Sequence, residues 1–253
     1  MVRLSWGKML RVKNLKKHFG GIKAVNGCSF EVKKGTITAL IGPNGSGKTT
    51  VFNIISGVLK EDSGKVIFDG IDITHFSPEA ISNIGISRLF QQTRLFNNLT
   101  VRENLLLALD NEDTKLWKNL FGFNKVTKEK EEKIREMLKL VGMERFENKL
   151  ARELSYGQKR LVELIRTILN PHKFLMLDEP VVGVDPRLRK EIAELLRKLK
   201  KEGDTILLIE HDMSFALGLA DFVIVMDEGK VIAKGKPKEI KNNSKVLKAY
   251  LGE

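Results

Sequence analysis

The chain reads as an α/β protein with a largely parallel sheet, a partly antiparallel strand-rich region near its start, and a helical insert between the two halves. Three observations predict this. Short continuous apolar runs at Thr36 to Ile41, Phe174 to Leu177 and Thr205 to Ile209 have the look of strands buried on both faces. Helical spacing fills the gaps between them. Turn signals at Asp69-Gly70 and at Asp227-Glu228-Gly229 fold neighbouring runs into hairpins.

In chain order, Leu10 to Gly35 carries short apolar runs such as LRVKNL and CSFEV, separated by Gly and Lys, which read as strands with turns at Gly20-Gly21 and Lys34-Gly35. ITALI stops at Gly42, and after a glycine-rich loop TTVFNIISGVL has helical spacing. From about Asn97 to Leu154 the pattern is helical. VRENLLLAL comes first, then EKEEKIREMLKLVG with Ile134, Leu138 and Val141 on one face and Gly142 as its C-cap. Asp185-Pro186 sets an N-cap before a proline at the first helical position, and Leu188, Ile192, Leu195, Leu196 and Leu199 form one stripe up to Gly203. FVIVM and KVIAK close the chain as a hairpin.

Composition narrows the function. With 253 residues, 42% hydrophobic and 30% charged, the chain can bury a sizeable core, which excludes wholesale disorder and fibrous stalks. No apolar run approaches the roughly 20 residues that span a bilayer, and the first residues lack a signal-peptide stretch, so work at a membrane is expected from its cytoplasmic face. Cys28 is the single cysteine, too little for a disulfide or a zinc site, and suits a reducing compartment. The 44 Lys+Arg against 32 Asp+Glu give +12, but the lysines are scattered and read as a solvated surface, with no specific nucleic acid implied.

Gly42, Pro43, Asn44, Gly45, Ser46, Gly47, Lys48 and Thr49 fit G-x-x-x-x-G-K-[ST] between a buried strand and a helix. Such a loop can curl its backbone N–H groups around phosphate oxygens, with Lys48 on the β and γ phosphates and the Thr49 hydroxyl on Mg²⁺. In FLMLDEP, Asp178 ends a buried strand where a carboxylate can hold the metal's water shell, and Glu179 can polarise an attacking water. Ser155 in LSYGQ opens a helix where a phosphate contact and an ordinary N-cap would show the same letters, and taken alone it reads as the cap. Gln91 in RLFQQ, Asp185 in VVGVDP and His211 after TILLIE complete the set in a fixed order.

Together these pieces resemble the nucleotide-binding subunit of an ATP-binding-cassette (ABC) transporter, from about Leu10 to the end of the chain. The resemblance implies a P-loop NTPase core of the RecA-like kind with an antiparallel β-subdomain, in residues 9–92 and 159–253, and an inserted helical subdomain in 93–158. It makes Gly42 to Thr49, with Thr50 beside it, the Walker A loop, Gln91 the Q-loop residue reaching the metal's water shell, and LSYGQ the signature, with Ser155, Gly157 and Gln158 facing phosphate. Phe174 to Asp178 becomes Walker B with Glu179 the catalytic carboxylate, Val182 to Asp185 the D-loop, and His211 the switch histidine. Phe19 falls where the family stacks an aromatic ring on adenine. The implied ligands are ATP and Mg²⁺; the implied partners are integral membrane permeases and a second ATPase subunit, identical or related, in a head-to-tail dimer.

Two departures from the family pattern stand out. Tyr156 occupies a signature position where the family usually has Gly, which would cost about 1–2 kcal/mol if that backbone needed φ > 0. The D-loop reads Val182-Gly183-Val184-Asp185 where Ser-Ala-Leu-Asp is more common. The finer resemblance is to ATPases of branched-chain amino acid importers, carried by LSYGQ, RLFQQTRLFNNLTVRENL, the extra stretch around Leu116 to Lys133 and the ending KAYLGE. Lipopolysaccharide-export ATPases share a similar ending, and the soluble ATPase of iron–sulfur assembly keeps the same catalytic motifs. Leu116, Trp117, Leu120, Phe121 and Phe123 form an apolar cluster read either as a docking surface for the membrane subunit or as helical-subdomain packing.

Overall fold

The computed structural model describes residues 7–91, 94–109 and 127–251, so the cluster at Leu116, Trp117, Leu120, Phe121 and Phe123 lies outside the described residues. β1 (Lys8–Phe19) and β2 (Ile22–Lys33) pair as a long antiparallel hairpin turned at Gly20-Gly21. The sequence suggested short runs because the pairing is bulged: the register shifts between Val12 and Leu15, where Asn14 takes φ +46°. A bulge breaks the alternation of apolar residues without ending the strand. β3 (Ile37–Ile41) is buried throughout and runs through the glycine loop into α1 (Lys48–Ile55). β4 (Ser63–Phe68) and β5 (Ile71–Asp72) make the hairpin expected at Asp69-Gly70, and both turn residues have positive φ, as such a turn needs. α2 (Pro78–Asn83), capped by the Ser77 hydroxyl, leads to β6 (Ile86–Leu89).

Helices follow: α3 (Val101–Leu109), α4 (Lys128–Leu140) and α5 (Tyr156–Leu169). Thr127 caps α4, whose Ile134 and Leu138 are buried, and Gly142 takes left-handed backbone just beyond its end. β7 (Phe174–Asp178), α6 (Pro186–Glu202), β8 (Thr205–Ile209), α7 (Met213–Leu219), β9 (Phe222–Asp227) and β10 (Lys230–Gly235) then alternate, before α8 (Pro237–Lys241) and α9 (Ser244–Leu251). Asp185 Oδ1 accepts from the Arg187 N–H at 2.8 Å, the turn that starts α6 on its proline.

The strands form two sheets. One is antiparallel in the order β2-β1-β4-β5; the other runs β10-β9-β3-β8-β7-β6, with β9, β3, β8 and β7 parallel and β10 antiparallel at the edge. Chain contacts group into two compact units. The first comprises Met1–Arg88, Lys173–Glu179 and Arg197–Glu253; the second comprises Leu89–His172 and Pro180–Leu196. In the first, Phe52, Phe68, Phe174, Met176, Leu207 and Ile224 belong to one buried cluster, with Phe68 edge-on to Phe174 at 5.8 Å between ring centres. In the second, α5 packs on α3 and α4.

Candidate nucleotide site

The parallel order puts the C-terminal ends of β3, β7 and β8 side by side, so the loops leaving them carry Lys48, Glu179 and His211, with Asp178 at the end of β7. At the end of β3, Gly47 caps α1 with φ +97°; a Cβ there would stand 2.2 Å from the Ala24 carbonyl oxygen, so only glycine fits. Lys48 curls back into the loop. Its ammonium donates to the carbonyls of Gly42 at 2.9 Å and Pro43 at 2.8 Å and to Ser46 Oγ at 3.2 Å. Burial pushes its pKa down from the ordinary lysine value, while the charges of Glu179 and Asp178 pull it back up. Asn44, Gly45 and Thr49 are exposed around it.

Asp178 ends β7 fully buried, with the Arg88 guanidinium 3.5 Å away. Arg88 also donates to Ser56 Oγ at 2.5 Å and Asn53 Oδ1 at 2.8 Å, and lies over the Phe52 ring, so one buried cation ties the Asp178 carboxylate to α1. Sequence reasoning missed Arg88. Its one signal was a lone charge inside the apolar run ISRLF. Glu179 follows in left-handed backbone, φ +52°, its N–H held by the Ile209 carbonyl at 3.0 Å. Among non-glycine residues of that kind, Asp69 and Glu228 sit in hairpin turns where such backbone is routine. At the end of a buried strand it costs about 1–2 kcal/mol, a strain typical of reactive positions. His211, just past β8, brings Nε2 within 2.5 Å of Glu179 Oε1. Phe19, at the end of β1, is 48% exposed, and the Lys17 ammonium lies 5.6 Å from its ring centre.

These residues fit a nucleotide and a hard cation. The loop already holds a buried ammonium on carbonyl oxygens, a contact that phosphate oxygens can take over, and Thr49 and Asp178 offer the oxygen-only donors that Mg²⁺ prefers.

Thr50 lies half-buried in α1, and the other remaining sequence candidates belong to the second unit. Gln91 is exposed, and its carbonyl accepts from Arg160 at 3.5 Å. Ser155 caps α5 in a reciprocal box: its Oγ accepts from the Gln158 N–H at 3.3 Å, and Gln158 Oε1 accepts from the Ser155 N–H at 2.9 Å. The cap occupies a lone pair of the serine oxygen and leaves its O–H proton available to donate. Tyr156 is the first residue of α5 and does not take positive φ, so the strain feared at this position does not arise. Its ring instead covers Gly183. A Cβ on Gly183, at φ +71°, would lie 2.9 Å from Tyr156 Cδ1, and a Cβ on Gly157 would lie 2.5 Å from the Gly183 carbonyl oxygen. The two departures noted in the sequence are therefore one packing unit. Asp185 is exposed.

A family model described as ABC transporter matches residues 25–182. The chain belongs to the ABC transporter family. A second model, described as branched-chain amino acid ATP-binding cassette transporter, matches residues 230–253 of this cassette. The probable branched-chain amino acid transport ATP-binding protein LivG of Archaeoglobus fulgidus is 41% identical over 246 residues, 97% of this chain and 96% of its own. Among solved structures, the ADP conformation of the ATP-binding cassette MJ1267 superposes with a TM-score of 0.81 at 36% identity, covering 98% of this cassette and all of that one. The dimeric cassette MJ0796 does so at 0.78 and 29% identity, covering 90% and 99%.

Proposed function

We propose that this cassette binds and hydrolyses ATP on the loop of Lys48 with Glu179 as its base, and so energises a permease that imports branched-chain amino acids. The observation that carries the catalytic part is the arrangement at the ends of β3, β7 and β8: a buried ammonium inside the glycine loop, and a strained carboxylate in contact with a histidine. The amino acid is supported by the C-terminal family match and by the relatives' names.

On this reading Lys48 exchanges the Gly42 and Pro43 carbonyls for β- and γ-phosphate oxygens, and the α1 N-terminus adds its dipole. Phe19 stacks on the base. Glu179 orients a water and takes its proton as the water oxygen bonds to the γ-phosphorus; the bond to the β,γ-bridging oxygen breaks, and ADP leaves with that electron pair. His211 turns from Glu179 to donate to a γ-phosphate oxygen, where charge builds. Mg²⁺, held by Thr49 and through water by Asp178, with Gln91 added by the family resemblance, would neutralise phosphate charge. Arg88 keeps the Asp178 carboxylate in place.

One chain carries one Lys48 loop and one signature. By the family resemblance, Ser155 and Gly157 serve the γ-phosphate held by a second copy, which makes the working unit a two-fold dimer; MJ0796, in its dimeric structure, gives a precedent in a relative. Among the described residues no helix is long and apolar enough to cross a membrane. We place the cassette on the cytoplasmic face, bound to permease subunits through the Gln91 side.

Glu179→Gln tests the catalytic reading. It removes the proton acceptor and keeps the shape, so equilibrium ATP binding should persist while turnover falls by about 100-fold or more. Unchanged steady-state hydrolysis in that variant would remove Glu179 from the mechanism.

A further inference from the structure

Three charged residues of α5 recur at Arg160, Glu163 and Arg166, and all three reach the stretch that carries Gln91. Arg160, only 1% exposed, donates Nη1 to the Phe90 carbonyl in a short hydrogen bond and to the Gln91 carbonyl at 3.5 Å. Glu163 Oε1 accepts a short hydrogen bond from the Arg94 N–H. Arg166 Nη1 donates to the Arg94 carbonyl at 2.8 Å and lies 3.9 Å from Glu163 Oε1. The Arg94 guanidinium in turn covers the Phe90 ring at 4.0 Å. Backbone groups before and after residues 92–93 are thus gripped by side chains of a single helix.

That helix begins at the signature. Arg160 lies five residues beyond Ser155, about 7.5 Å along the axis. Burial of Arg160 and Glu163 carries a desolvation cost that packing alone would avoid, and only matched partners offset it. The Glu163 carboxyl shows the balance: burial raises its pKa, while the Arg94 N–H and the charges of Arg166, Arg160 and Arg94 lower it. Such a network fixes one geometry where an apolar contact would allow several.

We propose that Arg160, Glu163 and Arg166 are positioning residues that lock the Gln91 segment to the signature helix, so that Gln91 and Ser155 change position as one piece during the ATP cycle. The inference rests on the proposed roles of Gln91 and Ser155. A shift at either is then transmitted to the other through side chains that touch no nucleotide.

The test uses the purified full-length chain, with Arg160→Met, Arg160→Lys and the half-exposed Arg166→Gln as variants. ATP affinity, kcat and KM, and amide hydrogen exchange across residues 89–97 and across α1 are measured for each. Binding and turnover by the wild type test the nucleotide reading; the lock is judged on variant-to-wild-type ratios, so the two fail separately. Arg160→Met should speed exchange in 89–97 but not in α1, leave ATP affinity within about twofold, and lower kcat about tenfold, the scale expected when a reacting group is held loosely. Arg160→Lys, which can still reach one carbonyl, should recover most of that loss. Arg166→Gln should loosen the same segment and lower kcat in the same direction, and it stands in should Arg160→Met fail to fold. Faster exchange with unchanged kcat, or a lysine no better than methionine, would overturn the proposal.

Discussion

At the scale of single residues, Tyr156 and Gly183 show how two sequence oddities can share one cause. The sequence marks each as a departure, but they are far apart along the chain, and nothing in the letters says that the ring of one covers the backbone of the other. Only the close approach does. Gly183→Ala meets both a left-handed backbone and a 2.9 Å clash with Tyr156 Cδ1, and should lower unfolding stability by about 1–3 kcal/mol in urea. In a Tyr156→Ala background the clash is gone and only the backbone cost remains. The double-mutant cycle should therefore show a coupling of at least about 0.5 kcal/mol. Additive losses would mean that the ring moves aside freely and that the pair is not coupled. Glu179 and His211 teach a related lesson: motif order singled out both, but neither their contact nor the strained backbone that aims Glu179 was legible, because φ leaves no mark on a glutamate's identity.

At the scale of elements, legibility followed burial and capping. β3, β7 and β8 were readable as unbroken apolar runs because both faces of the parallel sheet are covered. α6 was readable from Asp185-Pro186 and its stripe, of which Ile192, Leu195, Leu196 and Leu199 are buried. β6 and α7 escaped notice, since ISRL carries a charge in its middle and MSFALGL is a turn or two of helix with no long stripe. The start of α5 read as a cap from its letters and as a phosphate contact only through the family resemblance, and the structure contains the cap. Ser155→Ala removes one half of that box and should destabilise the chain by about 1 kcal/mol. Ser155→Thr can rebuild the cap while crowding the position a phosphate would occupy. The pair of variants separates the two roles: stability should recover in the threonine variant, and on the proposed mechanism ATP turnover should stay low in both. Turnover that rises and falls with stability would leave Ser155 a cap alone.

At the scale of the whole molecule, Cys28 offers a gauge of how nucleotide binding couples to the fold. It is the single cysteine, fully buried on β2 in the first unit's core, and burial pushes its thiol up to about 12. The reactive thiolate is therefore absent near pH 8 while that core is closed, and modification has to wait for an opening large enough to expose β2. The same unit carries the Lys48 loop, where Gly47 packs against the Ala24 carbonyl of that strand. ATP bound to the closed form alone lowers the open population by its own mass-action term, about 2.7 kcal/mol at 100 times Kd, so labelling of Cys28 should slow by about 100-fold at that concentration. Lys48→Ala, which cannot hold the phosphates, should show little slowing under the same conditions. If saturating ATP leaves the wild-type labelling rate unchanged, β2 opens without disturbing the loop, and the core and the nucleotide site are energetically separate despite their contact.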